Sequence, residues 1–183
     1  EMTVEGIALE ELRELPQVIG GINQASVEAA SKIFRSVTKS VVATESLEAA
    51  EMVKLINNVY RDVTFGFANE VSMIARLWGI DTNKAIEAAN FGYERSNIPR
   101  PSPGVGGYCL EKDSHILSQS AEARGYSPMM PKHARAVSDY MLSAISDDVV
   151  SFLKQHRKDD YNEAKILAMG LAYKGNPVTS DLR

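Results

Sequence analysis

Residues 46–78 read SLEAAEMVKLINNVYRDVTFGFANEVSMIARLW, with no proline anywhere in the stretch. Thr44 or Ser46 can cap its start and Gly79 can stop it, and a helix of that extent is about 50 Å long, far beyond the ordinary mean. Along it Val53, Ile56, Tyr60, Val63, Phe67, Val71, Ile74 and Trp78 recur at steps of three or four, the seam of helix-on-helix packing. Such a spine requires a partner helix.

Working outward, the N-terminal side predicts a weak helix around Ile7–Leu12, a strand Gln17–Ile22, a helix Ser26–Arg35 and a second strand Val37–Thr44. On the other side a short helix Thr82–Asn90, capped by Asp81, precedes a proline- and glycine-rich loop from Ile98 to Gly107. A helix from about Glu111 to Arg124 ends at Gly125. Pro131 then opens a second long helix, with Ala134, Val137, Met141, Ile145, Val149 and Phe152 as its apolar stripe. The run Ile166–Tyr173, led in by Lys165 and followed by Gly175, Asn176 and Pro177, reads as the first buried strand of a parallel sheet. A lone strand has no sheet to join, so the chain is expected to be a piece of a longer polypeptide. The fold class is mostly α, a long-helix core flanked by strand-bearing remnants.

Composition narrows the function. Of 183 residues 44% are hydrophobic, 24% charged and 7% aromatic, enough to bury a core. Lys and Arg number 20 against 24 Asp and Glu, a net charge of -4 that offers nothing to a phosphate backbone, so no nucleic-acid partner is expected. A single cysteine rules out an internal disulfide and suits a reducing cytosol. No apolar run approaches the roughly 20 residues of a membrane span, and the opening Glu1-Met2-Thr3-Val4-Glu5 is no secretory signal. A soluble, cytoplasmic protein without a membrane partner follows as the expectation.

The loop Pro101-Ser102-Pro103-Gly104-Val105-Gly106-Gly107-Tyr108-Cys109 delivers the one thiol immediately before a helix. Its glycines let backbone approach a ligand closely. A cysteine at a helix N-terminus feels the positive end of the macrodipole, which favours thiolate; alternatively it is a small buried hydrophobe. Asp113, four residues on, shares its face and could move protons, with Lys112 beside it. On the spine Lys54 and Asn58 stand one turn apart, followed by Arg61. This stripe is either a solvated face or a clamp for an oxyanion or a water. His115, His133 and His156 show no metal-ligand spacing, so no metal site is expected. There is no nucleophile-elbow serine, P-loop or GxGxxG fingerprint.

Together these stretches resemble the UDP-glucose/GDP-mannose 6-dehydrogenase family. Pro103–Asp113 is similar to its catalytic cysteine signature, Glu1–Gly6 with Ala8 to its acidic loop, EMVKLINNVYRD at 51–62 to its central helix, and GLAYKGNPVTSDLR at 170–183 to the opening of its nucleotide-sugar domain. The resemblance implies an NAD-binding Rossmann domain ending near residue 45, a central helical dimerisation and catalytic domain over 46–157, and the start of a Rossmann-like UDP-sugar domain over 158–183. It implies a homodimer joined through the long helix, and oxidation of a sugar C6 alcohol to a carboxylate with two NAD. The run NNVYRDVTFGFANE with ERSN is closer to the branch acting on UDP-N-acetylhexosamines (UDP-N-acetylmannosamine or UDP-N-acetylglucosamine). Leu110–Asp113 is nearer the UDP-glucose type.

Carried over residue by residue, Cys109 would trap the aldehyde as a thiohemiacetal that becomes a thioester. Lys54 would stabilise the oxyanion, Asn58 would position substrate and water, Asp113 would assist the water and Glu1 would act in thioester hydrolysis. Glu5, Arg61, Arg95, Gly106, Gly107, Tyr173 and Lys174 would meet the UDP-sugar, Arg95 by reaching a neighbouring subunit. Lys112 and Arg183 would face NAD phosphates. Alone, a chain of this extent is expected not to turn over, because the phosphate-cradling loop is absent from it. Two other readings compete: a non-catalytic helical dimerisation module in which Cys109 only packs, and the helical domain of a two-electron hydroxyacid-type dehydrogenase.

Overall fold

A computed structural model describes residues 6–103, 105, 107–156 and 164–169. The chain forms two compact units whose border falls inside its longest helix, one covering residues 6–58 and the other running from residue 59 through the remaining described residues.

The first unit holds α1 (Ala8–Glu14), β1 (Gln17–Ile19), α2 (Gln24–Phe34), β2 (Val41–Ala43) and the start of α3 (Leu47–Leu77). β1 and β2 pair in parallel, Gln17 opposite Val41 and Ile19 opposite Ala43, with α2 as the crossover packed on both strands. The expected strand Gln17–Ile22 stops at Ile19. Gly20 lies so close to the first turn of α3 that an added Cβ would stand 2.3 Å from the Ser46 carbonyl oxygen. Asn23 then starts α2 two residues ahead of expectation, because its Oδ1 accepts from the Ser26 N–H at 2.9 Å while Ser26 Oγ accepts from the Asn23 N–H at 3.2 Å. The second strand is shorter than expected for a related reason: Thr38 and Lys39 bond back to Leu15 and Arg13, leaving only Val41–Ala43 for the ladder. Of the two candidate caps for α3, Ser46 serves, its Oγ accepting from the Ala49 N–H at 3.1 Å.

The second unit contains the rest of α3, α4 (Thr82–Asn90), α5 (Tyr108–Glu122) and α6 (Met129–His156). α3 ends at Leu77, where Gly79 takes φ +65° and the Ile80 N–H returns to the Ala75 carbonyl. α4 has the expected bounds, with Asp81 Oδ1 accepting from the Lys84 N–H. The Asn90 side chain then closes the following loop on itself, donating to the Ile98 carbonyl at 2.9 Å and accepting from the Ile98 N–H at 3.0 Å. α3 and α6 meet closely, since a Cβ on Gly66 would lie 2.9 Å from both Cα and Cβ of Ala134. An exposed Arg76–Asp148 ion pair joins the same helices further along.

Three expectations need correction here. The apolar seam is not the face that α3 buries within the chain: Ile56, Tyr60, Phe67 and Ile74 are exposed, Trp78 lies beyond the helix, and the buried positions are Val59, Asp62, Gly66, Ala68, Asn69 and Ala75. Likewise α6 buries Pro131, Ala134, Arg135, Ser138 and Met141, whereas Val149 and Phe152 of the expected stripe stay exposed. Finally, residues 164–169 carry no regular secondary structure, and Ile166, Leu167 and Met169 are exposed; the rest of the expected strand lies outside the described residues. Among the described residues, no helix is long and apolar enough to cross a membrane.

Candidate active site

α5 begins at Tyr108, three residues before expectation, because Gly107 adopts φ 89° and turns the loop directly into the helix. This places Cys109 in the first turn, exposed, where backbone N–H groups have no partner within the helix. The thiol is therefore accessible and not a core filler. Asp113, one turn along, is almost fully buried, with Lys112 Nζ 3.3 Å from its Oδ1. α5 thus joins a solvent-accessible sulfur to a carboxylate taken out of water.

Around this turn the interior is polar. The largest fully buried side chains among the described residues are Asn69, Asp62, Asp113, Ser114 and Ser138, none of them apolar. Buried polar groups need partners; Asp62, Ser114 and Ser138 share one network around Arg135, whereas Asn69 Nδ2 and Arg135 Nε are left without a hydrogen-bond partner among the described residues. Arg135 of α6 forms an ion pair with Asp62 of α3, donates through Nη1 to the Val105 carbonyl at 3.1 Å and through Nη2 to Ser138 Oγ at 3.3 Å. Ser114 Oγ donates to the other Asp62 oxygen at 2.6 Å, and Asn69 Oδ1 accepts from the Ser102 N–H at 2.8 Å. Burial pushes the Asp62 carboxyl above its ordinary value, against the pull of the Ser114 hydrogen bond, Arg135 and His115.

The other expected site residues fall as follows. Lys54 and Asn58 lie half-buried, one turn apart, on the α3 segment of the first unit. Arg61 is exposed in the second. Arg95 is exposed in the loop closed by Asn90, its guanidinium stacked 4.7 Å from the Tyr93 ring centroid. Gly107 is the N-cap of α5. Glu1, Glu5, Gly106, Tyr173, Lys174 and Arg183 lie outside the described residues. Sequence reasoning missed Asn69, Ser114, Arg135 and Ser138. The available signal was a polar series on α3, Asp62, Gly66 and Asn69 at steps of four and three, matched by Arg135 and Ser138 on α6.

The second unit is thus a long helix packed through a glycine on another, with a cysteine presented on a glycine-led turn of a third helix. The chain belongs to the UDP-glucose/GDP-mannose dehydrogenase family, whose central domain matches residues 48–140. It is 36% identical over 176 residues to the UDP-N-acetyl-D-mannosamine dehydrogenase of Methanococcus maripaludis, covering 96% of this chain and 39% of that protein. It is 33% identical over 183 residues to the NDP-N-acetyl-D-galactosaminuronic acid dehydrogenase of Ralstonia nicotianae, covering 100% of this chain and 41% of that one. The solved UDP-D-ManNAc dehydrogenase of Pyrococcus horikoshii superposes with a TM-score of 0.84 at 33% identity, over 94% of this chain and 40% of that structure. The chain thus spans about two-fifths of the length of these relatives.

Proposed function

We propose that this chain supplies the cysteine-bearing core of an NAD-dependent nucleotide-sugar 6-dehydrogenase, with a UDP-N-acetylhexosamine as substrate. The observation that carries this reading is Cys109, exposed in the first turn of α5 with Asp113 buried one turn along. Residues 46–157 are assigned to the central domain, 1–45 to the end of the NAD domain and 158–183 to the start of the sugar-nucleotide domain.

The overall change is a primary alcohol plus two NAD and one water giving a carboxylate, two NADH and three protons. NAD, when bound, supplies the hydride acceptor for each of the two oxidation stages. Lys112, exposed and cationic beside the cysteine turn, suits a phosphate-bearing cofactor. The Cys109 sulfur adds to the C6 aldehyde carbon as a thiohemiacetal and holds that carbon through the thioester stage, so the reactive aldehyde does not escape. Water then cleaves the carbon–sulfur bond, the thiolate leaves, and Asp113 takes a proton from the water. In the family's roles Lys54 stabilises the oxyanion at C6, Asn58 orients substrate and water, and Glu1 assists hydrolysis. Glu5, Arg61, Gly106, Gly107, Tyr173 and Lys174 bind the sugar nucleotide, Arg95 does so from the neighbouring subunit, and Arg183 joins Lys112 at the cofactor.

We further assign the protein to a homodimer. Ile56, Tyr60, Phe67 and Ile74 form an exposed apolar seam along α3, and beside it Val63, Phe67, Met130 and Val137 line a groove of about 550 Å³.

The test is an assay of the complete natural polypeptide against UDP-sugars while following NADH. Two NADH per sugar oxidised are expected with a UDP-N-acetylhexosamine, and Cys109→Ser is expected to lose uronate formation by at least ~100-fold. Undiminished uronate production by that variant would refute the role of the thiol.

A further inference from the structure

Arg135 touches three parts of the second unit at once: Asp62 on α3, Ser138 on its own helix and the Val105 carbonyl in the loop. Asp62, with no exposed surface, takes a further hydrogen bond from Ser114 on α5. Val105 lies four residues before Cys109 and Ser114 five after it, so the segment carrying the thiol is gripped on both sides by one buried ion pair. A guanidinium suits this task, since its nitrogens diverge in a rigid planar fork that can serve several acceptors. Stability alone is a poor account of the pair, because desolvation offsets much of its attraction. Asn69 holds the same loop at Ser102.

We propose that Asp62 and Arg135 are positioning residues for the cysteine turn, holding the loop at Val105 and α5 at Ser114, and so setting where Cys109 and Asp113 stand. The catalytic meaning of this rests on the dehydrogenase reading; the grip itself does not.

The experiment uses the complete natural polypeptide and compares wild type with Arg135→Gln, Arg135→Lys and Arg76→Ala. Arg76 also ties α3 to α6 through Asp148, but about 20 Å further along both helices. The readouts are amide hydrogen exchange over residues 102–114, the rate of Cys109 alkylation by iodoacetamide at one pH, and steady-state kinetics. Arg135→Gln is expected to speed loop exchange at least ~10-fold, to change the alkylation rate at least ~3-fold, and to lower kcat about 10-fold or more while KM for the sugar nucleotide moves less than about 2-fold. Arg135→Lys is expected to keep the charge but leave loop exchange fast, because one ammonium cannot serve both Asp62 and the Val105 carbonyl. Arg76→Ala should leave all three readouts unchanged. Unaltered exchange and alkylation in both Arg135 variants, or equal changes in Arg76→Ala, overturn the proposal. Should Arg135→Gln not fold, Ser114→Ala takes its place, with loop exchange expected at least ~3-fold faster and an unchanged rate counting against the grip. An inert wild-type thiol together with no NADH formation sinks the dehydrogenase reading and leaves the exchange result to stand on its own.

Discussion

At the scale of single residues, Asp62 shows how a buried charge couples stability to pH. Burial holds its carboxyl above the ordinary value of 3.8, with Ser114 first among the groups pulling it back. A carboxyl whose folded pKa exceeds its unfolded one binds its proton more readily in the native state. Its contribution to stability is therefore complete below the ordinary value and is lost as pH rises through the folded value. Asp62→Asn keeps the shape and removes the titration. The difference in unfolding free energy, wild type minus variant, should decline as pH rises above the ordinary value of 3.8, as followed by urea melts; a difference independent of pH would count against the upward direction. In the sequence, Cys109 and Asp113 were legible because a glycine-led loop and a spacing of four mark them. Arg135 was not. A single arginine beside Ala134 on a helix is ordinarily a solvated one, and what makes it internal is a carboxylate 73 residues away, which no local pattern discloses.

Among the elements, α3 carries two faces with different tasks, and periodicity revealed only one of them. The apolar seam obeys the spacing rule but remains exposed, while the face that packs in the chain is built from Asp62, Gly66 and Asn69, residue types that hydrophobic counting passes over. Gly66 is the sharpest case. A methyl group there meets the Cα and Cβ of Ala134, backbone-bound atoms that cannot swing aside. Gly66→Ala should therefore lower stability by about 1–3 kcal/mol even though alanine favours the helix, as measured by chemical denaturation; a stabilised variant would show that α3 and α6 separate freely. α4 was read correctly end to end because Asp81 supplies a strong local cap. The strands and the start of α5 were misjudged where backbone contacts decide: Gly20 against Ser46, and Gly107 in a left-handed conformation.

For the whole molecule, an exposed apolar seam on a long helix is costly in water, and the homodimer proposed above would cover it with a second copy of the same seam. Phe67→Lys alters an exposed position, so its fold should hold while its dimer dissociation constant rises at least ~10-fold by sedimentation velocity; an unchanged assembly would place the interface elsewhere. The family and the helical architecture were both legible in the residues, since they rest on long periodic elements and on ordered motifs. Elsewhere the Asn90 carboxamide fastens the two feet of residues 91–97 together through a pair of bonds to Ile98. A segment riveted at its base is mechanically insulated from its supports, so the tip bearing Tyr93 and Arg95 can be rebuilt or lengthened like an interchangeable tool bit without disturbing the helices that hold it.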